Sequence, residues 1–373
     1  MLPSGGAYRG GRVECYRIGE QPLRDYYIVD VNSMYAHMLK TYLYPTNLIS
    51  TGKRASLEWI VRMLEKYCVI AEVVVNTPEP CFGIKYDGRL VFPKGQFRAT
   101  LNSCELTFGI DRGYIKEVLN FAIYQRGNVF SHYVDFFYSK RLEFAKTGND
   151  VYSYLCKLML NSLYGKFGQL IEEWKSVGYD NTRLYDYWTE WDVKTKTLHT
   201  FRCLNHWVEE KIGSTEGFNS LVAIPSEVTA HSRMYLWKLI TLAGHDHVYY
   251  CDTDSLIVDK FGLANLKEFI SPTELGLLKI EGKARKLIIY GLKDYRFGNK
   301  VVIKGIPKEA KKVANDVYEV YQSLGIKSGL HTGELNKVIW RKMLKHLTRQ
   351  YKKGVVTSTG EVKPLELTLD GGD

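Results

Sequence analysis

Two rhythms of apolar and polar positions alternate along this 373-residue chain, and the changes between them mark its elements. The run YYIVDV (26–31) reads as a buried strand, followed by a helix from Ser33 through Tyr42. CVIAEVVVN (68–76), rich in β-branched residues, is a second strand. LVFPKGQFRATLNSCEL suggests a short strand, a turn and a helix opened by Thr100 or Asn102 with Glu105. NDVYSYLCKLMLNSLYGKFG (149–168) reads as one long helix, capped by Asn149 or Asp150 and closed near Gly165 or Gly168. Residues 169–224 lack a clear period, and their aromatic patches YDYWTEWD and FRCLNHWVEE suggest a small sheet or hairpin insert. SEVTAHSRMYLWKLITLAG (226–244) is an amphipathic helix ended by Gly244, and HVYYCDTDSLIVD (247–259) is two strands around a DTD turn. RKLIIYGLKDYRFGNKVVIKGI continues as strands with interleaved basic residues. Helices are expected at 309–324 and 333–352. In the second of these, Val338, Ile339, Met343, Leu344 and Leu347 form a packing stripe that leaves Lys337, Arg341, Lys345 and Arg349 mostly off it. The order predicts an α+β fold with an antiparallel sheet and no internal repeat.

Composition is globular, 45% hydrophobic and 25% charged, and the length allows two or three subdomains. No apolar run approaches the ~18 residues of a membrane span, and the N-terminal residues carry no signal-peptide core. The seven cysteines (15, 68, 81, 104, 156, 203, 251) are odd in number and form no CxxC pair. That argues against a zinc site or disulfide framework and for a reducing intracellular compartment. The 27 tyrosines offer flat apolar faces with polar tips, suited to core packing and to nucleotide stacking alike. The net charge of +10 is uneven. Residues 279–353 hold 19 Lys/Arg against 6 Asp/Glu, whereas residues 1–278 balance at 31 each and the last twenty are net negative. The positive field therefore sits in the C-terminal quarter, as a polyanion footprint would, or as a solvated basic surface.

Three segments carry candidate chemistry. Strand alternation sends Asp252 and Asp254 to one face with Thr253 opposite, where two carboxylates repel unless a cation intervenes; hard divalent ions take such oxygen ligands. A plain Asx turn at a hairpin tip accounts for them equally well. Asp30 ends an apolar strand where a helix begins, a place for phosphate on free backbone N–H groups or for a simple cap. Lys157, Asn161 and Tyr164, at i, i+4 and i+7, put a cation, an amide and an aromatic ring on one helical face. Each segment alone is as readily structural as functional.

Together, in the order DVNSMY … KLMLNSLYGKFG … YCDTDS, they resemble motifs A, B and C of family B DNA polymerases. The details resemble the protein-primed branch of phages, adenoviruses and linear plasmids. KLMLNSLYGKF and the cysteine of YCDTDS point there, as do YRGG (8–11), similar to that branch's template-strand motif, and LKDY, similar to its lysine–x–tyrosine primer motif before KGIPK. The resemblance covers roughly residues 8–308. It implies a right-hand polymerase fold with an antiparallel-sheet palm, helical fingers and a basic thumb. The implied divisions are 1–145 (palm N-terminal part), 146–168 (fingers helix), 169–224 (insertion that could support strand displacement), 225–308 (palm C-terminal part) and 309–373 (thumb).

The resemblance also implies roles. Asp30, Asp254 and, in support, Asp252 would be catalytic, with Asp30, Asp254 and Val31 holding two Mg²⁺ ions, or Mn²⁺ in their place. Lys157 would meet the dNTP triphosphate, and Ser33, Met34 and neighbouring amides its oxygens. Asn161 and Tyr164 would line the nascent base-pair pocket, and Tyr35 would be the steric gate against a ribose 2′-hydroxyl. Lys293 and Tyr295 would hold the primer end; Tyr8, Arg9, Gly10 and Gly11 would touch the template, and Arg233 is a further candidate for nucleic-acid contact. Partners would be primer–template DNA, dNTPs and, by branch resemblance alone, a terminal protein primer, with no membrane. The location would be a bacterial cytoplasm, or a eukaryotic nucleus or organelle. Ala36 departs from the family by replacing the proline that usually follows the motif A tyrosine. Asp30 is preceded by only 29 residues, so no 3′→5′ exonuclease activity is expected of this chain. Rival readings are RNA-templated synthesis, primer-independent synthesis and a catalytically silent polymerase-like DNA-binding subunit.

Overall fold

A computed structural model describes residues 6–333, 336 and 338–369, which divide into two units. The first comprises residues 6–168, 221–302 and 350–369, the second 169–220 and the described part of 303–349.

The first unit is built on an antiparallel sheet in the order Val13–Cys15, Val248–Asp252, Ser255–Asp259, Tyr26–Val31, Leu278–Ala284. Tyr26–Val31 lies between two partners and is covered on both faces. Tyr26 and Ile28 belong to one apolar cluster, Val29 and Val31 to another. Such double cover is why it reads as an unbroken apolar run. The helix Met34–Thr41 follows and buries Met34, Ala36, Met38 and Leu39. Ala223–Ala243, closed by Gly244 at φ 87°, adds Leu236, Leu239 and Ile240 to the same cluster. A second five-stranded sheet runs Glu366–Leu367, Lys94–Leu101, Cys68–Thr77, Ile115–Gly127, Tyr44–Ala55. The helix Ser103–Asp111 opens on the Asn102–Glu105 capping box that the sequence suggests. Helices Ser131–Lys146 and Asp150–Lys166 follow one another, the latter capped by the Asn149 side chain on the Tyr152 amide.

The second unit contains a four-stranded antiparallel sheet ordered Leu170–Tyr179, Trp207–Glu216, Thr197–Leu204, Tyr185–Asp192, in which the first strand in sequence lies beside the last. Its chain ends meet: Leu170 pairs with Glu216, and the Ser220 hydroxyl donates to the Gln169 carbonyl at 2.7 Å. A second sheet joins Lys311–Ala314, Val317–Ser323 and Trp340–His346; the helix Ile326–Thr332, between its last two strands in sequence, lies against Tyr185–Asp192, with Lys327 Nζ 2.9 Å from the Tyr187 hydroxyl. The helices expected at 309–324 and 333–352 are thus largely strands. Asn315-Asp316, with Asp316 at φ 57°, is a two-residue hairpin turn joining Ala314 to Val317. The ladder from Val317↔His346 to Ser323↔Trp340 overrides the helix preference of Met343, Leu344 and Lys345. Lys337 lies outside the described residues.

From Gln350 the chain returns to the first unit. The Tyr351 hydroxyl accepts from the Cys15 amide at 3.3 Å, and Glu366–Leu367 pairs in parallel with Lys94–Gly95. Residues 309–373 therefore do not form one block. Among the described residues no helix is long and apolar enough to cross a membrane.

Candidate active site

The end of the Tyr26–Val31 strand and the tip of the 248–259 hairpin lie side by side: Ser255 pairs with Asp30, and the Val31 amide donates to the Asp254 carbonyl at 2.8 Å. Asp30, Val31, Ser33, Met34, Tyr35, Lys157, Asn161, Tyr164 and Asp254 all line one cavity of about 520 Å³. Residues from positions 30 to 281 thus converge within the first unit.

Three carboxylates (Asp30, Asp254, Glu281) face three cations (Arg141, Lys157, Lys279) in this cavity. Burial, and then repulsion by Asp30, raises the Asp254 carboxyl to about 7. Asp30 is raised as well, by burial and by Glu281, with Lys279 opposing. Lys279 Nζ lies 3.6 Å from Asp30 and 2.9 Å from Glu281. Tyr35 and Tyr164 stack at 4.5 Å between ring centres, fixing one wall. Ser33 sits in the left-handed region at φ 49°, a strained setting for a residue other than glycine, and Arg141 Nη1 donates to its hydroxyl at 2.7 Å.

The two aspartates of the DTD turn part company. Thr253 adopts φ 63°, which breaks the strand alternation that would set both carboxylates on one face. Asp254 lines the cavity with Asp30, whereas Asp252 is not among the lining residues. Asp252 instead pairs with Lys293 Nζ at 2.9 Å and accepts from the Tyr250 hydroxyl at 3.4 Å. Tyr295 packs on Tyr250 with ring centres 5.3 Å apart. The LKDY segment therefore reaches Asp252 directly.

The YRGG segment closes on the same turn. The Thr253 amide donates to the Arg12 carbonyl at 2.7 Å, and a Cβ at Gly11 would lie 2.7 Å from the Thr253 methyl group. A Cβ at Gly168 would lie 2.9 Å from the Tyr8 ring, which brings Tyr8 to the end of the Lys157 helix. Two residues of the expected nucleic-acid set are internal instead. Arg233, 2% exposed, pairs with Glu105 at 2.9 Å and donates to the carbonyls of Arg9 and Gly10. Burial alone would raise Glu105, but Arg233 and Arg9 hold it below the usual carboxylate value. Arg9, 7% exposed, donates to the Thr100 carbonyl. Both arginines support the segment from within, because a buried guanidinium needs internal acceptors.

Sequence reasoning missed Arg141, Lys279 and Glu281, which all line the cavity. Arg141 projects from the Ser131–Lys146 helix. Lys279 and Glu281 alternate on the edge strand beside Asp30, a period-2 signal that was available in LKIEGKA.

Residues 6–235 match the family described as DNA polymerase type B, organellar and viral. A probable DNA polymerase of Neurospora intermedia is 27% identical over 369 residues, covering 92% of this chain and 36% of that protein. The DNA-directed DNA polymerase of Enterobacteria phage PRD1 is 28% identical over 319 residues, covering 83% and 53%. Phi29 DNA polymerase complexed with primer-template DNA and incoming nucleotide substrates superposes with a TM-score of 0.60 at 16% identity, covering 93% of this chain and 62% of that one. The likeness is one of fold, mixed α+β with antiparallel sheets. The chain spans between a quarter and just over half the length of three curated relatives it matches.

Proposed function

The chain belongs to the organellar and viral type B DNA polymerases, and from that premise we propose that it carries the polymerising centre of a DNA-directed DNA polymerase. The observation that supports this most is the convergence of Asp30, Asp254, Tyr35, Lys157, Asn161 and Tyr164 on one cavity. In this reading the sheet around Asp30 is the palm and the Asp150–Lys166 helix belongs to the fingers. The basic strands of residues 311–346 belong to the thumb.

The donor set fits hard divalent cations. Burial first, and then the Asp30 carboxylate, raise Asp254 to about 7, so a cation between the two carboxylates relieves both, and only oxygen donors are needed. Asp30, Asp254 and Val31 would hold two Mg²⁺ ions. When bound, they supply charge neutralisation at the phosphates and a lowered pKa at the primer 3′-hydroxyl.

The chain's own residues do the positioning. Lys157 and Arg141 bind triphosphate oxygens, the first as a point charge and the second as a fork. Ser33 and Met34 present backbone amides at the start of their helix to the same oxygens. Tyr35, backed by Tyr164, fills the space a ribose 2′-hydroxyl would need. Asn161 lines the base-pair pocket. Lys293 and Tyr295 hold the primer end beside Asp252. The 3′-oxygen forms its bond to the α-phosphorus as the bond to pyrophosphate breaks, and the hydroxyl proton leaves to solvent. Orientation in a fixed electrostatic frame provides most of the rate. The terminal-protein primer belongs to this proposal through family likeness alone.

Extension of a labelled primer–template with Mg²⁺ and dNTPs tests the reading. The chain should add dNMPs, and Asp254→Ala should lower the rate by at least about 10³-fold, because a ligand of both ions is lost. Absence of dNTP-dependent extension by the unaltered chain would overturn the proposal.

A further inference from the structure

A second set of ligand-type side chains lies away from the catalytic cavity, where the helix Ser103–Asp111 approaches the helix Ala223–Ala243. Cys104 Sγ, a Glu227 carboxylate oxygen and a His231 ring nitrogen lie within 4.8 Å of one another. Glu227 is fully buried, and its Oε1 accepts from the Ser103 amide and hydroxyl at 3.1 and 2.5 Å. Its other oxygen, Oε2, is buried with no hydrogen-bond partner. A buried carboxylate oxygen left bare costs stability, and such orphans call for an unseen ion or water. Oε2 points toward His231, whose Nε2 is 3.8 Å away, too far for a hydrogen bond. Tyr42 stacks on the His231 ring at 3.7 Å and Tyr44 meets it edge-on, which fixes the imidazole plane.

We propose that Cys104, Glu227 and His231 form a binding site for a borderline-soft divalent cation, Zn²⁺ foremost. Sulfur, nitrogen and oxygen donors together select zinc over magnesium or calcium. A tetrahedral zinc would draw the three atoms to roughly 3.5 Å separations, a shift of about an ångström from those seen. Cys104 and His231 also line a groove of about 750 Å³, which admits water to the fourth position. The Ser103 contacts to Oε1 orient the carboxylate, as outer contacts do around metal ligands. Glu227 and His231 sit one turn apart on one helix, and Cys104 comes from the other, so a bound ion ties the two together. The Glu105–Arg233 pair joins the same helices and carries the backbone of Arg9 and Gly10. A zinc ion there would stiffen the support of the YRGG segment. The site stands or falls independently of the polymerase reading.

The full chain, stripped by chelator, is titrated with Zn²⁺ against a chromophoric chelator, and separately with Co²⁺. One tight equivalent of Zn²⁺ is expected. It should weaken at least about tenfold in Cys104→Ser and in His231→Gln, and persist in Asp254→Asn. The Co²⁺ adduct should show thiolate-to-metal absorption that Cys104→Ser lacks. In the unaltered chain Zn²⁺ should slow alkylation of Cys104, a readout that survives if a variant fails to fold. Zinc affinity indifferent to both substitutions, or Cys104 alkylation equally fast with and without Zn²⁺, overturns the site.

Discussion

The two units hold their strands together by different means. In the first, apolar clusters cover both faces of the central strand Tyr26–Val31, and buried charges such as Arg233 and Glu105 are paired. In the second, Cys203 and Val320 are the hydrophobic residues that become fully buried among those described, while Trp191, Trp207 and Trp340 each stay more than half exposed. Its strands depend on long ladders and on cation–aromatic contacts such as Arg202 over Trp174 at 4.2 Å and Lys327 over Tyr187 at 4.5 Å. A dry interior can store electrostatic strain between carboxylates, which chemistry needs. A wet aromatic and basic surface cannot, but it can stack on bases and follow phosphates.

That contrast can be broken or sharpened by experiment. The largest effect belongs to the first unit. Tyr35→Val should reduce the preference for dNTPs over rNTPs by about 10²-fold, measured as the ratio of kcat/KM values, since a steric exclusion is removed. Unchanged selectivity would detach Tyr35 from the sugar. Next, excising residues 172–220 and joining the ends, which already meet, should shorten products about tenfold while single-nucleotide addition persists, the loss of stacking contacts shortening each binding event. An unaltered product-length distribution would remove the insert from any role in processivity. Third comes stability. The Asp254 carboxyl is raised from its ordinary 3.8 to about 7 in the fold, and Glu227 is raised from 4.5 likewise to about 7. The folded chain then binds more protons than the unfolded between those values. These two carboxyls therefore contribute a loss of stability in the metal-free first unit as pH rises from about 4 to about 7, of on the order of a few kcal/mol, which the buried His231, lowered to about 4, partly offsets. Asp254→Asn should flatten part of that fall in urea titrations, with the second unit's transition unmoved. The smallest effect belongs to the second unit: Lys312→Ala and Arg341→Ala should each lower the salt slope of primer–template affinity by about 1, without changing the rate of nucleotide addition.

Much of the first unit was legible because local pattern and tertiary role agree there. YYIVDV had to be buried, Asn149 or Asp150 had to cap, and Lys157, Asn161 and Tyr164 had to share a face. The alternation argument failed at Thr253, whose left-handed backbone turns Asp254 toward Asp30 and leaves Asp252 to Lys293. Arg233 and Arg9 misled because a basic residue near a nucleic-acid motif invites contact, while sequence gives no burial. In the second unit the aromatic patches of residues 169–224 announced a sheet, whereas in residues 303–349 lysine, leucine and methionine favour helix when no core is in view, and the Asn315-Asp316 turn was the hairpin signal there. The Cys104–Glu227–His231 cluster escaped because spacing rules read neighbours along the chain, and these ligands meet across more than a hundred residues.

Lys279 has a consequence for how such a protein comes into being. Its ammonium, 3.6 Å from Asp30 and 2.9 Å from Glu281, is a tethered counter-charge built into the edge strand. A newly synthesised chain can therefore bring these acidic groups together before it has met any ion, so that assembly does not wait on metal supply. The same lysine then sets a threshold: whatever ion later arrives must compete with a cation that never diffuses away.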